Sequence, residues 1–325
     1  MELSVELSYE TLLDDSLLDE AAAQGITAVS APIEFVESEP KEKLRERASA
    51  LAARGMRIDT SHPRFGLYNS ADSLVNQYRE QRLRYLEQLK DNFERMSILG
   101  VRTAPLHTGG CCLPGAPDWP LEMCAESIRR IEPAAADAGI VLAVENTFYY
   151  SPHRWDGGEF GPQRWDGGCG DARAPGAQPE QTVGLVYDDL SKLLKLVDQL
   201  NSPYVKICFD AGHAHYLGDL AADHALMGDR IALYHIHDNS RDKDMHLPPG
   251  YGTLNWELLG AIIKDNAAAF PAFIEAYPWA RGSNAHMIRE TNALLNGGRR
   301  GESRRCLACG HLILHDGGGE FCGCP

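Results

Sequence analysis

The chain is short of positive charge. Its 31 lysines and arginines face 46 aspartates and glutamates, a formal net charge of −15 over 325 residues. Proteins that grip nucleic acid draw on a positive field, so this balance argues against DNA or RNA as a partner, although bound divalent cations would restore positive charge locally. Also missing is any apolar run near the ~20 residues a membrane span requires. The opening MELSVELSYETLLDD has no basic stretch followed by an apolar one, so secretion is not expected and a cytoplasmic setting is. No phosphate loop ending in Lys-Ser/Thr and no G-x-G-x-x-G occurs, which leaves no signal for either nucleotide-binding motif. Nine cysteines without an export signal read as thiols or metal ligands rather than disulfides.

What is present is a rhythm. Short β-rich segments at 2–8, 26–32, 56–61, 101–107, 140–146, 204–210, 231–237 and 271–277 alternate with stretches of helical period. Apolar residues three and four apart, such as Leu86, Leu89, Phe93 and Met96, then Leu121, Cys124, Ile128 and Ile131, give each helix one buried stripe. Further helices are expected around 16–24, 39–54, 186–200, 217–226, 255–267 and 282–295. Eight such alternations predict parallel strands closed into a (β/α)8 barrel over residues 1–295, with an open doubly wound sheet as the alternative.

Two regions break the pattern. Residues 148–180 carry RWDGG twice and too much Gly and Pro for a helix; following the fifth strand, they form either part of a lid or a surface insertion. After a Gly/Arg linker at 296–305, the tail 306–325 reads CLACGHLILHDGGGEFCGCP. Cys306, Cys309, Cys322 and Cys324 have the spacing of four thiolates around one structural zinc, with His311 and His315 as substitute ligands. Twenty residues cannot bury a core, and a metal staple gives them a reason to fold.

Barrel active sites lie at the carboxyl ends of the strands. Those ends carry His62, His107, Glu145, Asp210, His213, His235 and Glu275, seven ligand-type side chains on six consecutive strands. Carboxylates gathered in a barrel mouth repel one another, and a divalent cation relieves that repulsion. The mixture of imidazole and carboxylate suits Zn, Mn, Co or Fe better than Ca. Just beyond, YHIHDNSRDKDMH adds His237, Asp238, Asp242, Asp244 and His246; His235 and His237 share strand parity, so parity does not choose between them. Lys206 shares parity with Asp210 and is read as filling an inner layer rather than forming a Schiff base, Cys111 and Cys112 as ordinary loop thiols, and His215 and His224 as supporting or surface groups.

The segments SHPRFGLYNSAD, VENT, FDAGHAH, HIHDN, DMHLPPGYG and FIEAY resemble the xylose isomerase-like (β/α)8 superfamily, especially its sugar phosphate isomerase/epimerase branch. The resemblance covers 1–295 and stops before the cysteine tail. It implies one divalent metal (Mn, Co, Zn, Mg or Fe) held by Glu145, Asp210, His235 and Glu275. Glu145 and Glu275 would also be the catalytic pair that exchanges a proton beside the carbonyl through an enediolate. His213, His237 and Asp238 would be substrate-contacting or orienting groups, and the H-x-x-D-N match makes His235 the ligand. The partner implied is a small sugar or sugar phosphate, with a homo-oligomer left open.

The same superfamily holds endonuclease IV, a trinuclear zinc nuclease. Its nine ligand types have counterparts here: His62, His107 and Glu145; Glu145, Asp210, His235 and Glu275; His213, Asp244 and His246. The acidic composition and the HDN after His235 favour the sugar-acting branch. A third alternative is a non-catalytic barrel that recruits a partner through its zinc tail. Gly250-Tyr251-Gly252 departs from the Gly-Glu-Gly common among relatives, which removes a carboxylate near the mouth.

Overall fold

The computed structural model describes residues 2–66, 71–108, 119–151, 184–187, 190–241, 244–266, 270–276 and 283–298, with 304–305, 312–315 and 320–321 of the tail. Eight barrel strands are numbered in chain order: β1 Leu3–Glu6, β2 Ala28–Ser30, β3 Arg57–Thr60, β4 Thr103–Leu106, β5 Val141–Glu145, β6 Val205–Asp210, β7 Ile231–Ile236 and β8 Ala272–Ile274. Each pairs in parallel with its neighbours in sequence, and β1 pairs with β8, so the sheet closes on itself. This is the expected (β/α)8 barrel, and all eight strands fall within the segments read from the sequence.

Closure decides which side chains reach the mouth. Side chains alternate along a strand, so residues two apart stack as layers inside the barrel. Ala143, Cys208 and Leu233 form one small buried layer with Phe270 against it. Two residues further along the same strands come Glu145, Asp210 and His235, at 2 %, 0 % and 0 % exposure. An apolar floor therefore lies directly beneath a polar layer.

The helices are α1 Tyr9–Leu13, α2 Asp15–Ala23, α3 Ile33–Ser38, α4 Lys41–Ala52, α5 Arg79–Leu99, α6 Trp119–Asp137, α7 Leu190–Leu200, α8 Ala211–Leu217, α9 Leu220–Met227, α10 Trp256–Asp265 and α11 Ser283–Leu295. The predicted stripes on α5 and α6 are buried. Among the described residues no helix is long and apolar enough to cross a membrane.

Two expected helices differ. The one expected at 186–200 begins at Leu190, because Gly184–Tyr187 pairs antiparallel with Phe148–Ser151. Its β-branched and aromatic residues suit a ribbon that starts the 148–180 insertion, most of which lies outside the described residues. The helix expected at 217–226 is α9, begun at Leu220 with the Asp219 carboxylate capping it through the N–H groups of Ala221 and Ala222, and an unexpected short helix, α8, precedes it. In the tail, Leu312–His315 pairs antiparallel with Arg304–Arg305 and with Glu320–Phe321. The four tail cysteines, like Cys111, Cys112 and Asp242, lie outside the described residues.

α10 packs on α11 through a close approach at Gly260, where a Cβ would stand 2.0 Å from the Leu295 carbonyl oxygen. Alanine gains about 1 kcal/mol in helix propensity over glycine. Overpacking costs about 1–3 kcal/mol, and here the obstacle is backbone that cannot rotate away. Gly260→Ala is expected to lower the denaturant midpoint by about 1–2 kcal/mol equivalent; an unchanged or higher midpoint would contradict the packing account.

Candidate metal centre

Three donor groups, two of which share Glu145, lie at the carboxyl mouth of the barrel. His62, His107 and Glu145 form the first; Glu145, Asp210, His235 and Glu275 the second; His213, His237, Asp244 and His246 the third. Within each group one ligand atom per residue lies within 4.8 Å of the others. Glu145 Oε2 is 3.8 Å from His62 Nε2, 3.3 Å from His107 Nε2 and 3.5 Å from His235 Nδ1. His235 Nδ1 is also 2.8 Å from Glu275 Oε2 and 3.9 Å from Asp210 Oδ2. His213 spans two groups, with Nδ1 3.2 Å from Glu145 Oε1 and Nε2 3.5 Å from Asp244 Oδ2.

The local sequence explains these positions. In DAGH, Asp210 ends β6 and caps α8, its carboxylate accepting from the His213 N–H at 2.7 Å. A cap followed three residues later by histidine places both side chains on the first turn, facing the mouth. Asn146 locks β5 to β6: its Nδ2 donates to the Asp210 carbonyl at 3.0 Å, and its Oδ1 accepts from the Asp210 N–H at 2.6 Å.

Asp238 anchors the loop that carries Asp244 and His246. Fully buried, its carboxylate accepts from the N–H groups of Asn239, Gly250 and Leu254 and from the Trp256 indole, at 2.9–3.0 Å. Its backbone bridges to Leu247 in both directions at 2.8 Å. Gly252 is needed beneath: a Cβ there would lie 2.2 Å from the Asn239 carbonyl oxygen. Asp238 thus orients the loop, and none of its side-chain bonds goes to the donor groups.

The donor set fits a divalent cation. Buried polar groups normally find partners. Yet Glu145 Oε2, Asp210 Oδ2, Glu275 Oε2, Asp244 Oδ1, His62 Nε2 and both ring nitrogens of His235 and His237 are buried without a protein hydrogen bond. Several imidazoles are also oriented as metal ligands are: His62 Nδ1 lies 2.8 Å from the Pro63 carbonyl oxygen, His213 Nδ1 3.2 Å from that of Asn146, and His246 Nδ1 2.8 Å from that of Glu275. A carbonyl can only accept, so Nδ1 carries the proton and Nε2 faces the donor group, the arrangement that fixes ligand tautomers.

Charge compensation among these groups is strong. Burial alone would depress the His213 imidazole, but Asp210 and Asp244 outweigh it and hold its protonated form well above the usual range. For His235 the same holds through Cys208, Glu275 and Glu145. His246, opposed by burial, is raised to about 10 by its hydrogen bond to Asp244. His107 goes the other way, lowered by burial despite Glu145. Burial pushes the Glu145 carboxyl up, and His107 and His235 bring it well below its usual value.

Every barrel residue singled out from the sequence as a metal ligand falls into one of the three groups. His237, expected as a substrate-contacting or orienting group, is fully buried in the third. Glu6 escaped notice altogether. It ends β1 as an exposed residue, yet the protein packed around its carboxyl and the charges of Glu275 and Glu34 push that group up to about 7, opposed by His62. Its signal was its place at a strand end. Phe65, about half exposed at 49 %, lies on His107 with ring centroids 3.8 Å apart.

A family model described as xylose isomerase-like TIM barrel matches residues 18–296. Among solved structures, a D-tagatose 3-epimerase-like protein superposes with a TM-score of 0.65 at 19 % identity, covering 91 % of this chain and 96 % of that one. The apo form of 3-keto-D-glucoside 4-epimerase from E. coli gives 0.63 at 15 % identity over 91 % and 99 %. A Thermus thermophilus protein soaked with ZnCl2 gives 0.59 at 20 % identity over 92 % and 100 %. At such identities these likenesses show a shared fold. A curated protein from Sinorhizobium fredii, itself uncharacterized, is 40 % identical over 76 residues, a stretch spanning 23 % of this chain and 23 % of that protein.

Metal binding at this mouth must displace protons. In the metal-free protein His213, His235 and His246 hold protons above the usual imidazole range, and a cation binds only the deprotonated form. Loading is therefore expected to release more than one proton per protein near pH 7, and apparent affinity should rise between about pH 7 and about pH 9. Calorimetry in buffers of different ionisation enthalpy measures both; no proton release and a flat profile above pH 7 would contradict the assignment.

Proposed function

Because the chain belongs to the xylose isomerase-like TIM-barrel family, we propose that it is a divalent-metal-dependent isomerase or epimerase of a small sugar or sugar phosphate. The observation that carries this reading is the second donor group, in which two glutamates from β5 and the end of β8 meet around His235, 3.5 Å and 2.8 Å from its Nδ1. A cation of the Mn, Co, Zn, Mg or Fe class, held by Glu145, Asp210, His235 and Glu275, would supply Lewis-acid polarisation of a substrate carbonyl.

The chain's own residues move the proton. Glu145 and Glu275 stand as base and acid, one taking the proton from the carbon beside the carbonyl and the other returning it. Their surroundings differ: Glu145 is sealed at 1 % side-chain exposure and Glu275 is open at 26 %. Glu275 is thus the carboxylate that trades its proton with water. Phe65 offers the C–H face of a sugar an apolar wall next to the donor groups. The sugar epimerase among the structural relatives supports the substrate class.

One observation favours a second reading. The first two donor groups share Glu145, and the third lies beside it, His213 Nδ1 3.2 Å from Glu145 Oε1, which is what a trinuclear phosphodiesterase of the endonuclease IV type would use. The net charge of −15 opposes it. For the tail, we propose a structural zinc on Cys306, Cys309, Cys322 and Cys324, supported by the antiparallel pairing of the short strands just before and between them.

Glu145→Gln and Glu275→Gln are each expected to cut deuterium uptake from D2O into ketoses or ketose phosphates by about 100-fold or more. Retained uptake in both variants would sink the two-glutamate mechanism. Cleavage of an abasic-site oligonucleotide by the wild type, without uptake into any sugar, would turn the assignment to the second reading.

A further inference from the structure

We propose that Glu6 selects the substrate: its carboxylate accepts hydrogen bonds from hydroxyl groups on the end of the sugar that lies over β1, so that end is a free polyol and not a phosphate. The inference rests on the isomerase or epimerase reading and narrows its substrate class.

Strand alternation turns Glu6 toward the lumen. Leu3, Val5 and Leu7 belong to the core that β1 shares with the helices, and the residues between them, Ser4 and Glu6, face the other way. The parallel register Ser4 with Phe273 and Val5 with Ile274, carried one residue on, sets Glu6 level with Glu275. Neighbouring strands lie about 4.8 Å apart, so Glu6 stands one strand away from the carboxylate that trades its proton with water. Its backbone is held, with Asn284 Nδ2 donating to its carbonyl at 2.9 Å. Its carboxylate is exposed at the strand end and, among the described residues, has no hydrogen bond or ion pair. A carboxylate so placed is ready to accept charge-assisted hydrogen bonds from a ligand.

Charge decides which ligand. The groups whose charges reach Glu6 are Glu275, Glu34 and His62. Arg64, two residues beyond His62, is taken up by Glu34 at 3.2 Å and Glu37 at 2.7 Å. Loading the neighbouring donor group sets one divalent ion against the carboxylates of Glu145, Asp210 and Glu275, which does not reverse the sign. A phosphate brought over β1 therefore meets like charge, whereas a hydroxyl finds an acceptor. Phe65, its ring centroid 5.0 Å from that of His62, lies on the same side of the mouth. An apolar ring for the C–H face and a carboxylate for the hydroxyls fix how a sugar enters.

The test separates binding from turnover. Full-length protein loaded with Mn2+ is titrated by calorimetry with the D-ketohexoses, free and as terminal phosphates, while deuterium uptake from D2O is followed in parallel. Free sugars are expected to bind about 10-fold or more tightly than their phosphates. Glu6→Ala is expected to weaken free-sugar binding by about 10-fold or more. Glu6→Gln, which keeps an oxygen to accept hydroxyls but removes the charge, should recover part of that affinity and narrow the gap to the phosphates. Glu6→Arg should invert the preference, a change that a merely structural residue would not produce. Tighter binding of phosphates by the wild type, or free-sugar and phosphate affinities unchanged in Glu6→Ala, would overturn the proposal. Binding that depends on Glu6 without deuterium uptake would leave it standing and remove the proton-transfer reading; uptake indifferent to Glu6 would do the reverse.

Discussion

Everything at the carboxyl mouth of this barrel follows from the cost of gathering charge away from water. Glu145, Asp210, Glu275 and Asp244 stand within a few ångströms of six imidazoles, two of them fully buried. A lone carboxylate at such depth would take up a proton or draw in a cation. In the metal-free protein the balance is struck by protonated histidines, whose raised affinity for protons is the mirror image of the lowered affinity of Glu145 and Asp244. A divalent ion would take over that balancing role with a denser charge, and the polar atoms at the mouth left without partners are those it would ligate.

The fold makes this concentration affordable by keeping it rigid. Ala143, Cys208 and Leu233 give the polar layer a dry floor, and strand alternation delivers Glu145, Asp210 and His235 to one level. The mouth is then finished by elements that are not strands. The capped first turn of α8 aims His213, and the Asp238 carboxylate, saturated by four donors, stiffens the loop that returns Asp244 and His246 over the opening. A ligand held by such supports moves little, which is what tight binding and oriented proton transfer both require.

Much of this was legible in the sequence, for identifiable reasons. Strand candidates such as 140–146 and 204–210 contain β5 and β6 because a parallel barrel strand is buried on both faces and reads as an apolar run ending in its functional residue. The ligand set was legible because ligand-type residues recur at successive strand ends. What escaped depended on contacts distant in sequence. The start of α7 was misplaced because Gly184–Tyr187 pairs with a segment more than thirty residues earlier. The depth of His237 could not be read from parity, which places it on the same face as His235; only the absent Cβ of Gly212 lets the ring in. Glu6 was passed over because β1 ends in a polar stretch, and its crowding by Glu275 and Glu34 appears only when the barrel closes.

The central claim is that the carboxyl mouth holds a divalent cation between the two glutamates that end β5 and follow β8. Anomalous diffraction from zinc-loaded crystals, collected on either side of the zinc absorption edge, addresses it most directly. The account predicts a peak among Glu145, Asp210, His235 and Glu275. A barrel mouth without an anomalous peak in fully loaded protein would contradict it.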